Sequence, residues 1–213
     1  MKKNSFMMAA GVVLAASVMV ASCGGQKSAS SSAAADAKTE TKRLEKEGWQ
    51  VAPGAIPMLR QLEESYTLQY EKDEMRQPKY ITGDAMSIGG NYDAAKMQAT
   101  EIAKFELAGK IATTVMAIIQ NNVANEQLEK EQAASITQSV AATKNVIAQK
   151  LGRTIPLVEL YRTKANKNKE VRVILGYNQE SALEAAKEAV REDLAKKGDA
   201  LQSQLDNLFK LNK

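Results

Sequence analysis

Apolar residues recur along the middle of this chain with two different periods. From Asn91 or Asp93, either of which can cap a helix, no Pro interrupts the chain until well past Val123. Within that stretch Leu107, Ile111, Val115 and Ile118 fall on one helical stripe, and Ile102, Phe105, Met116, Ile119 and Val123 fall on another roughly opposite. An arc that wide predicts a helix covered on more than one side, with Ala103, Ala108, Gly109 and Ala112 allowing close approach. Glu126 to Leu151 repeats the helical period through Leu128, Ile136, Val140, Ile147 and Leu151, and Gly152 ends it. The amide-rich run Asn121 to Asn125 is the expected turn of a helical hairpin.

The period then changes to two. Thr154 to Ala165 and Glu170 to Asn178 read as strands, with Asn166-Lys167-Asn168-Lys169 as the loop of a hairpin and Pro156 at a strand start or edge. In the second of these, Val171, Val173, Leu175 and Tyr177 alternate with Arg172, Ile174 and Gly176, so one face is apolar and the other mixed. Lys79 to Gly89 supplies a third strand through Tyr80, Thr82 and Ile88. A last helix from Gln179 carries Leu183, Ala186, Val190 and Leu194 on one face. Lys197-Gly198-Asp199 marks a break before Leu201, Leu205 and Leu208 renew the stripe. The pattern predicts an α+β fold, in which a small antiparallel sheet of about three strands packs on a long helical hairpin and a C-terminal helix.

The ends of the chain read differently. Residues 1–22 have the parts of a secretory signal: Lys2 and Lys3, an apolar run from Phe6 to Val20, and small residues at Ala21 and Ser22. That run is diluted by Ala, Gly11 and Ser17 and is short of the roughly 20 apolar residues that a membrane span needs. Val20-Ala21-Ser22-Cys23 resembles the bacterial lipobox, which implies acylation of Cys23 and cleavage before it. Cys23 is the only cysteine, so no internal disulfide can form, and two or three acyl chains give durable anchoring. From Gly24 to about Thr41 small polar residues without apolar period are expected to form a flexible tether, residues 23–41 with the lipidated Cys, of roughly 20–25 Å reach. Residues 42–78 form an N-terminal arm with a helix expected from Pro57 to about Tyr70. Residues 79–178 form the α+β core, and residues 179–213 the C-terminal helical segment.

Composition narrows the chemistry. Losing Lys2 and Lys3 with the signal leaves the 29 basic residues two fewer against 25 acidic ones, so the mature chain is nearly neutral. With aromatics at 5%, nothing in it favours a nucleic-acid partner. There is no His, which removes Ser-His-Asp and Cys-His catalysis, imidazole metal ligands and a His base together, so neither cofactor nor catalytic residue is assigned. Carboxylate chemistry would draw on residues such as Glu63, Glu64, Asp73 and Glu74, or Asp84 near the glycine turn, and such charge runs are ordinarily solvated faces. Gly83, Gly89 and Gly90 before a helix fit no phosphate-loop spacing and read as a tight strand-to-helix turn. Trp49, the one Trp, offers a ligand-stacking or membrane-interface surface, but reads more readily as a hydrophobic clamp of the arm on the main domain. Arg162, Lys164, Lys167, Lys169 and Arg172 give the strand hairpin a basic tip, either a solvated loop or a contact for anionic headgroups or an acidic partner.

Asp93-Ala94-Ala95-Lys96 with Ala99, Ala103 and Leu107, Tyr161-Arg162, Glu170-Val171-Arg172-Val173 and Tyr177-Asn178 together resemble the LPP20-type bacterial lipoproteins. The resemblance covers about half the mature chain. It implies a compact domain anchored in the outer membrane, with no agreed enzymatic activity. Gly24 after Cys23 resembles the outer-membrane default, and the periplasmic side is expected. The function expected is a non-enzymatic structural or adaptor lipoprotein, tied to the membrane through Cys23 and binding another envelope protein or itself by its sheet edge, basic hairpin or C-terminal leucines. The alternative is a lipid-anchored binding module holding a small or lipidic ligand between the long helix and the sheet.

Overall fold

The computed structural model describes residues 29–196 and 201–210. Cys23, the signal before it and the Lys197-Gly198-Asp199 break lie outside those residues. Among the described residues the elements run α1 (Ala29–Lys46), α2 (Met58–Tyr70), β1 (Tyr80–Gly89), α3 (Tyr92–Ala124), α4 (Lys130–Ala142), α5 (Lys144–Lys150), β2 (Ile155–Thr163), β3 (Lys169–Asn178), α6 (Gln179–Lys196) and α7 (Gln202–Lys210). The strands form one antiparallel sheet in the order β1-β3-β2, with β3 central. The fold is α+β, as the hydrophobic pattern predicts.

Three layers result. Along α3, the small residues Ala95, Ala99 and Ala103 are fully buried, and β1 lies almost directly on them. A Cβ built at Gly83 would sit 2.2 Å from the Ala103 carbonyl oxygen, and one at Gly89 2.8 Å from the Ala95 amide. Only glycine permits that approach. Asn91 caps the helix, its side chain accepting the Ala94 amide at 2.8 Å. Further along, Ile111, Val115 and Ile119 join Ile136, Val140, Ile147, Val190 and Leu194 in the same buried cluster, so α4, α5 and α6 complete this layer. Leu205, Leu208 and Phe209 of α7 are buried there too, which gives the C-terminal leucines to the chain's own core.

The other face of the sheet is covered by α1 and α2. Ala37, Leu44, Trp49, Met58 and Leu62 bury against Leu157, Val158, Leu160 and Ile174, so the face that reads as mixed in sequence is a second core. Trp49 is 4% exposed and acts as the clamp its position suggested.

Three expectations are corrected. The stretch read as a flexible tether to Thr41 is helical from Ala29 onward. Alanine is the strongest helix former, and Ala33 and Ala37, four apart, are small enough to vanish into a close packing with α2. The single helix expected from Glu126 to Leu151 is two, broken at Thr143, whose hydroxyl donates to the Ser139 carbonyl at 2.7 Å; such back-bonding competes with the helical ladder. Finally, the second apolar stripe of α3 is not covered along its whole length, because Ile102 and Phe105 are 43% and 44% exposed.

Candidate functional site

The strand order leaves two sheet edges, and the chain treats them differently. On β2, the Tyr161 amide and carbonyl exchange hydrogen bonds with Gln50 at 2.9 Å each. The neighbouring outward amide, Glu159, donates to the side chain of buried Gln61 at 2.7 Å, and Gln61 in turn donates to the Ile56 carbonyl. The arm thus closes that edge.

On β1 only the first half is closed. Lys110 of α3 donates to the Thr82 carbonyl at 2.7 Å, and the Asp84 amide donates to Glu106 at 3.0 Å. Backbone groups of alternate residues point the same way in an antiparallel strand, so the groups of Met86 and Ile88 face outward like those of Thr82 and Asp84. Among the described residues nothing caps them. Their side chains are 55% and 50% exposed, on an edge that natural proteins normally blunt with charge.

Beneath this edge lies a charged cleft of about 200 Å³, lined by Glu40, Ser65, Tyr66, Asp84, Lys110 and Arg172 among others. Arg172 grips Asp84 with two bonds, Nε to Oδ1 at 3.0 Å and Nη2 to Oδ2 at 2.5 Å, and reaches Glu40 at 3.5 Å. The hydrogen bond from Arg43, followed by Arg172, holds the Glu40 carboxyl below its usual range against the opposing effect of burial. Burial pushes the Tyr66 phenol up, with Glu40 adding to it. Each charge in the cleft is matched by a neighbour, Glu40 by Arg43, Asp84 by Arg172 and Lys110 by Glu106.

The remaining sequence candidates disperse. Glu63 and Glu64 stand on α2; Asp73 accepts the Gln77 amide at 2.8 Å in the loop after it; Glu74 is exposed on that loop; and Asp84 belongs to Arg172. Among the described residues no group of three or more metal-ligating side chains comes together. The basic tip is largely paired inside the hairpin. Arg162 bonds Glu170 at 2.5 Å and stacks 4.6 Å from the Trp49 ring centroid, Lys164 lies 3.4 Å from Glu170, and Lys169 donates to Thr163. Where β1 crosses α3, Gly83 and Gly89 bring the strand into direct contact with Ala103 and Ala95.

A larger cavity sits elsewhere, at the end of the sheet where β1 starts and β3 ends. It measures about 470 Å³ and lies between the loop after α2, the start of α6, Ile118 of α3 and Phe209 of α7. Sequence reading missed it because its walls come from four distant segments. It named a sheet edge without saying which one, although Asp84-Ala85-Met86-Ser87-Ile88 carries a signal, two apolar residues in alternation that stay exposed. No described helix is long and apolar enough to cross a membrane. No family model matches the chain, and no curated protein and no solved structure matches it.

Proposed function

We propose that this chain is a non-enzymatic lipoprotein of the cell envelope, acylated at Cys23 and held on the periplasmic side of the outer membrane, where it acts as an adaptor. The relation to the LPP20-type lipoproteins suggested by Asp93–Lys96 and Glu170–Val173 is part of the same proposal. The observation that carries the binding surface is the open half of β1, with outward backbone groups and apolar side chains at Met86 and Ile88. An extended segment of an envelope protein adds there as a fourth strand: its backbone supplies affinity, and pockets for alternate side chains supply selectivity. An apolar partner strand fits better than an acidic one, because Met86 and Ile88 are apolar and Arg162, Lys164 and Lys169 of the hairpin already have partners within the chain.

The test is in-cell crosslinking of the lipidated protein with a photoreactive residue at position 86, against the same residue at Met97, which is 69% exposed on α3. A discrete adduct specific to position 86 supports the reading, and its mass distinguishes another protein from a second copy. Equal background at both positions defeats it. Separately, Cys23→Ala is expected to release the mature protein from the membrane fraction.

A further inference from the structure

The cavity at the start of β1 has the walls of a hydrocarbon site. Met75, Pro78, Tyr80, Ile118, Leu183 and Phe209 supply its apolar surface, beside the carboxylates of Asp73, Glu180 and Glu184 and four other polar residues. Its volume, about 470 Å³, falls in the range of roughly 300–1,000 Å³ typical of small-ligand sites. Several polar groups of the lining are occupied in building it. Lys79 pairs with Glu71 at 2.9 Å, its amide donates to the Glu71 carbonyl, and its own carbonyl accepts the Gln179 amide at 2.8 Å. Asp73 accepts the Gln77 amide, and Asn178 accepts the Ser181 amide at 3.0 Å at the start of α6. The one cation in the lining is therefore already paired, so no positive charge is left over for an anionic head, and the chain is held by the apolar residues.

Position supplies the second argument. The loop that forms one wall follows α2 directly, and Tyr70 at the end of α2 donates to Asp36 of α1 at 2.8 Å. Helix α1 begins at Ala29, six residues after Cys23. A chain of that length reaches at most about 20 Å, and Ala29 to Asp36 adds roughly 10 Å of helix. The cavity thus belongs to the end of the fold that the anchor keeps next to the bilayer.

We infer that this cavity takes a single alkyl chain, either from a lipid of the membrane beneath it or from the acyl group on Cys23. The choice of source rests on the lipid-anchor reading above, whereas the β1 partner plays no part in it. The head of the ligand stays in solvent beside the carboxylates of the lining, so the site selects for a chain and against a negatively charged head.

The experiment has two arms on the full lipidated protein in nanodiscs. In the first, the bilayer carries palmitoyl lysophosphatidylethanolamine with a diazirine at the chain end; in the second, a diazirine fatty acid is incorporated biosynthetically on Cys23. Crosslinked peptides from residues 73–80 and from the start of α6 are expected in one arm, and which arm names the source. Labelling should fall roughly tenfold in Leu183→Trp, which fills the cavity, and in Met75→Asp, a change at a 60% exposed position that the fold tolerates. Met97→Gln should leave it unchanged, and unlabelled monopalmitoylglycerol should compete at least as well as palmitate. Labelling confined to other segments in both arms, or unmoved by Met75→Asp and Leu183→Trp alike, overturns the inference. The intact mass of the protein reports acylation of Cys23 independently, so a failed anchor is read apart from an empty pocket.

Discussion

Arg172 on the central strand holds Asp84 on the edge strand through both of its guanidinium contacts, at 3.0 and 2.5 Å, while its third face turns to Glu40 of α1. One side chain therefore ties the sheet to the helical layer that covers it. Arg172 is 18% exposed, so removing it leaves Asp84 without its partner and Glu40 with Arg43 alone, in a cleft where water screens them poorly. Arg172→Ala is expected to cost about 2–3 kcal/mol in urea unfolding, less than a fully buried pair because the Asp84 side chain is 36% exposed. Arg172→Lys should recover less than half, since a point charge cannot make both bonds. A double-mutant cycle with Asp84→Asn that gives no coupling would show the contact to be idle.

The seat of β1 on α3 gives a sharper contrast. Gly83→Ala places a methyl 2.2 Å from the Ala103 carbonyl oxygen and 2.9 Å from Leu107, where backbone and not a flexible side chain must yield. Gly90→Ala meets nothing within 4 Å. The first substitution is expected to destabilise by about 3 kcal/mol or to prevent folding, and the second to stay within about 0.5 kcal/mol. Thermal unfolding of the two variants side by side tests this, and equal midpoints would contradict the close packing.

That contact also shows where sequence reading stops. The strand period, the Asn91 cap and the turn lysines and asparagines of the hairpin are local, and they predict β1, β2, β3 and the start of α3 within a residue or two. Gly83 and Ala103 lie twenty residues apart, and nothing local links them, so the glycine reads as a loop signal when its work is mid-strand. The first half of α1 escaped for a related reason. Pattern reading counts large apolar side chains, and Ala33 and Ala37 become core only because α2 comes close. The cavity at Met75 and Phe209 depends on which segments fail to meet, and no single stretch of sequence records that; Met86 and Ile88 hint at an edge, but not that its cover stops at Asp84.

Acid should weaken the hairpin in a defined direction. Burial by itself raises the Glu170 carboxyl, but Arg162 and Lys164 outweigh it, and the net effect lowers Glu170 below the ordinary carboxylate range. A carboxyl lowered in the folded state contributes stability that is present above its unfolded value and is lost as pH falls through its folded value. Glu170→Gln should therefore be less stable than the parent chain near neutral pH, by about 1 kcal/mol, with the gap closing as pH drops from about 5 toward 3. Urea midpoints across that window decide the matter, and a gap that widens on acidification would reverse the assignment.

The open half of β1 invites the most direct test of how the protein binds. A charge placed on an exposed strand edge opposes the addition of another apolar strand, because the ammonium group must either lose water or push the incoming chain away. Met86→Lys puts that charge where the backbone is uncapped and the side chain is already 55% exposed, so folding loses little, within about 0.5 kcal/mol. Ile88→Lys, 50% exposed two residues on, should act the same way. In contrast, Lys167→Ala on the hairpin turn removes a charge from the basic tip and leaves the edge untouched. Pull-down of the lipidated protein from crosslinked cells should lose its partner in the two β1 variants and keep it in Lys167→Ala. If the order is reversed, the partner reads the hairpin's charge, and β1 is an edge that the envelope leaves bare.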